Sequence, residues 1–161
     1  MIVIVMGVVG SGKTTVGSLL AQQLDWDFTD ADDFHPPANI EKIRQGIGLN
    51  DHDRQPWLQA LHQAISRWIG EHKNVVLACS ALKRGYRREL EVGPEVRFVY
   101  LKGSAELIAE RLRLRKGHYA DAQILGSQFA DLEEPEGAVT VEIAATPPQI
   151  IAEIRRKLSL A

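Results

Sequence analysis

With 161 residues, 45% of them apolar and 25% charged, the chain has the size and balance of one globular domain that buries its own core. A formal charge of −2 excludes a general polyanion binder, and the lone cysteine, Cys79, excludes an internal disulfide and fits a reducing compartment. The apolar opening MIVIVMGVVG has no basic flank and meets Lys13 too soon to span a membrane, so the expected location is the cytoplasm.

In chain order, IVIVM (2–6) carries apolar residues at consecutive positions, the mark of a strand buried on both faces. It runs into GVVGSGKT, Gly7 to Thr14, with the spacing G-x-x-x-x-G-K-[ST] between a strand and a helix. Gly7, Gly10 and Gly12 let the backbone turn tightly, so that N–H groups around Ser11, Thr14 and Thr15 face phosphate oxygens at a helix N-terminus. In such a loop Lys13 reaches the β- and γ-phosphates and the Thr14 hydroxyl holds Mg²⁺, which makes ATP with Mg²⁺ the expected cofactor. Val16, Leu19, Leu20 and Leu24 then share one helical face.

WDFTD (26–30) is a weaker strand, followed by DADDFHPP (30–37). If the strand ends near Asp30, then Asp30, Asp32, Asp33 and His35 lie at the carboxyl end of the sheet beside the loop. Carboxylates there can accept hydrogen bonds from an acceptor's hydroxyls and take the proton of the attacking one. The competing reading, strongest for Asp33 and His35, is an acidic turn that caps a helix begun by Pro36 or Pro37.

Trp57, Leu58, Leu61, Ile65, Trp68 and Ile69 mark a long amphipathic helix, and VVLAC (75–79) a third strand. That strand ends in Cys79 and Ser80 with no carboxylate to organise a hydrolytic water. This favours a small-molecule kinase over a motor or a switch. Lys83, Tyr86 and Arg87 follow it and can line an acceptor pocket. VRFVYL (96–101) is a fourth strand, and Leu107, Ile108 and Leu112 mark a helix.

Arg111 and Arg115 are four residues apart, hence on one helical face, just before Gly117. Such arginines suit a lid that brings positive charge over the γ-phosphate and excludes water. DLEEPE (131–136) reads as a solvated helix end, VTVEI (139–143) as a weak strand, and TPPQ (146–149) as the start of a last helix through Ile150, Ile151, Ile154 and Leu158. The alternation predicts an α/β fold of three layers: a parallel sheet of about five strands, helices on both faces, and a lid over roughly 115–127.

Four blocks together resemble the gluconate kinase family: the phosphate loop, DADDFHPPANIEKIRQGIGLNDHDRQPWL (30–58), CSALKRGYRREL (79–90) and RLRLRKGHYADAQILGSQFADLEEP (111–135). The resemblance implies a P-loop kinase fold similar to nucleoside monophosphate and shikimate kinases. It implies ATP-dependent phosphorylation of D-gluconate at its 6-hydroxyl, and commonly a homodimer. Such an acceptor needs a cation for its carboxylate, and Arg54 is the best placed, since a guanidinium binds a carboxylate with two parallel hydrogen bonds. By analogy with the D-x-D pattern of shikimate kinases, Asp30 falls nearer the metal and Asp32 nearer the acceptor hydroxyl. Arg111 falls against adenine, Arg115 on the phosphates, and His118 and Gln128 toward the acceptor. Another polyol or sugar acid, shikimate, or a nucleotide-dependent binding module remain the alternatives.

Overall fold

A computed structural model of the chain describes residues 1–114 and 119–160, with the backbone alone for 119–123. Five strands, β1 (Ile2–Met6), β2 (Asp27–Asp30), β3 (Val75–Ala78), β4 (Val96–Lys102) and β5 (Val139–Glu142), form a sheet in the order β2-β3-β1-β4-β5, every pairing parallel. The helices are α1 (Lys13–Leu24), α2 (Pro37–Arg44), α3 (Asp51–Gly70), α4 (Arg84–Leu90), α5 (Ala105–Arg113), α6 (Tyr119–Asp131) and α7 (Pro147–Lys157), with a 3₁₀ turn at Ala31–Phe34.

The central strand shows why its sequence is apolar throughout. Val3 and Val5 join a core with Val16 and Leu20 of α1, Ile108 and Leu112 of α5, and Ile150 and Ile154 of α7. Ile2, Ile4 and Met6 point the other way, against Trp57, Leu61 and Ile65 of α3 and Tyr86 and Leu90 of α4. A strand covered on both faces has no polar side to alternate with. The result is the expected three-layer α/β arrangement.

The expected strands all form, with ends shifted by at most one residue. β2 and β5 are the edges and only partly buried, so they lack a continuous apolar run, which is why their signals are weak. Two short helices, α2 and α4, escape the periodicity. The first buries only Asn39 and the second is seven residues long, so neither shows an extended apolar stripe. Helix starts follow local chemistry instead: Asn50 and Asp53 form a reciprocal capping box on α3, and Thr146 and Gln149 form one on α7 ahead of its N-terminal proline. Among the described residues no helix is long and apolar enough to cross a membrane.

Parallel strands aim their carboxyl ends at one rim. The connection after β1 leads to β2 on one side of the sheet, while β4 and β5 lie on the other. The loop after β1 therefore sits where the strand order reverses, the position at which open α/β sheets bind ligands.

Candidate active site

The loop after β1 is built around glycines that a side chain would break. Gly10 has φ +81° and Gly12 φ +95°, and a Cβ on Gly10 would lie 2.9 Å from the Leu112 side chain of α5. Gly12 caps α1 without a side-chain hydrogen bond, so the first N–H groups of the helix face the loop's concavity. Lys13 Nζ donates to Val8 O across the loop at 3.1 Å. Ser11 is 2% exposed, and its Oγ is a buried hydroxyl without a hydrogen-bond partner among the described residues. A cradle of N–H groups with an orphaned hydroxyl fits a polyphosphate.

β2 delivers the carboxylates to the same place. Thr14 Oγ1 donates to Asp30 Oδ2 at 2.9 Å, and Asp30 Oδ1 accepts from Asp32 N at 2.9 Å as the cap of the 3₁₀ turn. Asp30 thus ties the first turn of α1 to the turn that carries Asp32. The Thr14 and Asp30 oxygens are the hard donors a magnesium ion takes from a protein when substrate phosphates and water complete its shell. Among the described residues no cluster of three or more His, Cys, Asp or Glu forms a metal cage.

Two cavities flank the loop. One, of about 120 Å³, is lined by Lys13, Asp32, His35, Arg54, Ser80 and Gln128, with Ile43, Trp57 and Ile124 among its apolar walls. The other, of about 240 Å³, lies between Gly10, Ser11, Thr15, Arg111, Ala145 and Pro147. Arg111 is set against it by donating from Nη2 to Ile143 O at 2.6 Å. Lys13 and Asp32 therefore share one cavity, and the P-loop separates it from a second that a nucleotide base can occupy.

Trp57 fixes the floor of the first cavity. Its Nε1 donates to Ala31 O at 2.8 Å, and the His35 ring stacks on it with centroids 4.6 Å apart and planes 10° from parallel. Asn39 Nδ2 donates to His35 Nδ1 at 3.2 Å and to Asp53 O at 2.7 Å, joining the acidic turn to α3. Burial, then the Arg54 charge, push the His35 pKa down to about 4 from 6.5, so this histidine is neutral and acts as a packing group. Unfolding restores the ordinary value, so the unfolded chain gains a proton that the folded one refuses. Stability is full above about 6.5 and is lost as pH falls toward about 4. His35→Phe, which keeps the stack, should show a smaller loss than wild type in urea titrations at pH 7 and pH 5. Equal losses would contradict the assignment.

The far wall is an ion network. Arg54, 8% exposed, donates from Nη1 to Tyr86 Oη at 2.8 Å and to Asp131 Oδ2 at 3.1 Å. Tyr86 Oη in turn makes a short hydrogen bond to Asp51 Oδ1, which also accepts from Lys83 Nζ at 2.8 Å. The hydrogen bond from Lys83, then that from Tyr86, hold the Asp51 carboxyl below its ordinary pKa; the same contact raises Lys83. Burial, then the bond to Asp51, raise Tyr86, so the phenol keeps its proton and donates. An adjoining hollow of about 360 Å³ is lined by Asp51, Arg54, Lys83, Ser127 and Asp131.

Most of the residues singled out in the sequence meet here. Lys13, Thr14, Asp30, Asp32, His35, Arg54 and Gln128 converge, with Lys83 and Tyr86 joined through the network. Arg87 stands apart: its guanidinium donates to Ala81 O at 2.7 Å, Leu82 O at 3.1 Å and Glu133 O at 2.8 Å, bracing the chain behind Ser80. Asp33 is exposed and lines neither cavity. Arg115 and His118 lie outside the described residues. Three contributors were not legible: Ser80, Trp57 as a cavity wall, and Asp131, which is tied to Arg54 rather than solvated. The one clue to Asp131 is that it follows Gln128 by three residues, the same side of a helix.

The shikimate kinase family model matches residues 9–137. A probable gluconokinase of Xenopus tropicalis is 44% identical across 99% of this chain and 96% of that protein. The chain belongs to the gluconokinase family. Its bacterial relatives include the thermoresistant gluconokinase of Escherichia coli, 48% identical over 83% of this chain and 77% of that one. The crystal structure of a gluconokinase from Sinorhizobium meliloti, 40% identical, superimposes with a TM-score of 0.87 over 98% of this chain and 90% of the other. The Aquifex aeolicus shikimate kinase, 19% identical with a TM-score of 0.60, shares the fold. The family's P-loop kinase architecture is thus the one built here from β1, its loop and α1.

Proposed function

We propose that the chain is an ATP-dependent gluconokinase that phosphorylates D-gluconate at its 6-hydroxyl to give 6-phospho-D-gluconate and ADP. The observation that carries this is the single cavity lined by both Lys13 and Asp32, with Arg54 in its wall. A flexible polyol acid needs a proton acceptor at the reacting hydroxyl, a cation for the carboxylate at the other end, and a phosphate clamp beside the first. The cavity has one of each.

The P-loop N–H groups, Ser11 and Thr15 hold the phosphates, with Arg111 beside the base. Thr14 and Asp30 hold Mg²⁺. When bound, Mg²⁺–ATP supplies the γ-phosphoryl group, with its charge partly neutralised by the metal. Asp32 orients the 6-hydroxyl and accepts its proton as the new O–P bond forms and the bond to ADP breaks. Lys13 neutralises charge on the transferring oxygens. Arg54, aided by Lys83 and Tyr86, holds the carboxylate, while His35, Gln128 and His118 position the hydroxyl chain. Arg115 completes the charge over the phosphates. The chain works as a single kinase domain, as a homodimer in the cytoplasm.

The family model's description makes shikimate the acceptor to exclude. A coupled ADP-release assay over gluconate, other aldonic acids, shikimate and nucleoside monophosphates tests the reading. Turnover should rise with gluconate by orders of magnitude over the acceptor-free rate. Stimulation by shikimate or a nucleotide and none by gluconate would overturn it, and equal turnover without any acceptor would favour a nucleotide-dependent binding module.

A further inference from the structure

The Arg54 guanidinium lies in the lining of both the acceptor cavity and the hollow beside it, and Asp131 reaches it from the hollow. The two side chains are 9% and 26% exposed and 3.1 Å apart, so the pair is largely withdrawn from water. The cation assigned to the acceptor's carboxylate is therefore already bound to a carboxylate of the protein's own. We propose that Asp131 is an internal stand-in for the acceptor's carboxylate, a specificity-determining residue that a sugar acid must displace from Arg54. The inference rests on the gluconokinase reading above and concerns how the same site selects acids.

Like-charge crowding on Arg54 favours the exchange. The network holds two cations, Arg54 and Lys83, against two anions, Asp51 and Asp131. A second carboxylate on the same guanidinium would bring two like charges within a few ångströms in a poorly hydrated wall, which is unfavourable. Asp131 has somewhere to go: its Oδ1 is already 3.9 Å from Lys83 Nζ. A sugar acid thus takes over Arg54 while Asp131 turns to Lys83, which it then shares with Asp51. A neutral polyol offers nothing in exchange and leaves the pair closed.

The same helix holds a second site of this kind. One turn before Asp131, Gln128 Oε1 accepts from Val9 N, a donor of the phosphate loop, at 2.6 Å. Helix α6 is thereby fastened to both halves of the site by oxygens placed where ligand oxygens belong.

The test measures gluconate binding to the full chain by calorimetry, and KM for gluconate, for neutral D-glucitol and for ATP, in wild type, Asp131→Asn and Lys83→Met. Removing the competing anion should lower the gluconate Kd and KM by about fivefold, the scale of a partly buried ion pair, with the glucitol and ATP values unmoved. Lys83→Met, which removes the second cation open to Asp131, should raise the gluconate KM instead. A gluconate affinity that weakens or stays put in D131N overturns the proposal, as do gluconate, glucitol and ATP shifting together, the mark of a structural brace. If D131N fails to fold, Asp131→Ser measured in the same way decides, and an unchanged gluconate KM overturns the proposal. Wild type that neither binds nor phosphorylates gluconate refutes the functional reading itself, a distinct result.

Discussion

Lys13→Ala should lower kcat by about a thousandfold, the cost of removing a preorganised cation from a developing negative charge. The reasoning starts from the loop. Glycines at φ +81° and +95° fold the backbone so that Lys13, the first residue of α1, points back across it to Val8 O at 3.1 Å. That places an ammonium on the rim of the cavity it shares with Asp32. Phosphoryl transfer asks the protein for little covalent chemistry, so positioning and charge supply most of the rate. Because Lys13 is only partly buried, its loss should leave the fold intact, with thermal unfolding close to wild type. Near-normal turnover in a folded variant would refute the assignment of the loop.

Asp32→Asn should lower kcat by about a hundredfold or more with a smaller effect on the ATP KM. The side chain is exposed into the cavity, and its position is set by the backbone: Asp32 N is held by Asp30 Oδ1 at 2.9 Å, and the preceding carbonyl, Ala31 O, by Trp57 Nε1 at 2.8 Å. The amide of the variant keeps the size and one acceptor oxygen but cannot take the hydroxyl's proton. A loss confined to the gluconate KM would make Asp32 a binding residue only. A parallel collapse of ATP binding would mean that the turn itself had moved. The matched variant Asp33→Asn, on the exposed side of the same turn, should be nearly silent.

The phosphate loop was the most legible part of the molecule, because its geometry is local: a strand, fixed glycine positions and a helix follow one another without interruption over residues 2–24. The long helix through Trp57 and the buried strands were legible for the same reason, each carrying its own period. What the sequence hid was long-range. Asp131 meets Arg54 across 77 residues, and Arg87 meets Glu133 O across 46. Nothing in DLEEPE distinguishes an aspartate bound to a buried guanidinium from one in water. Likewise RGYRREL presents four charges in seven residues, and only the fold decides that Arg87 turns inward to three carbonyls while Arg84 and Arg88 stay exposed. Cys79 is a similar case. At the end of β3 it is fully enclosed, and burial pushes its thiol up to about 12, which removes it from the chemistry of the rim it adjoins.

The most direct test is a crystal structure of the chain with D-gluconate, a non-hydrolysable ATP analogue and Mg²⁺. The terminal hydroxyl oxygen of gluconate should lie within hydrogen-bond reach of Asp32 and roughly 3–3.5 Å from the γ-phosphorus, in line with the leaving oxygen, with Lys13 on the phosphates and the carboxylate on Arg54. Gluconate bound in the reverse direction, with its carboxylate toward the phosphate loop, or lodged outside the cavity that Lys13 and Asp32 share, would contradict the account.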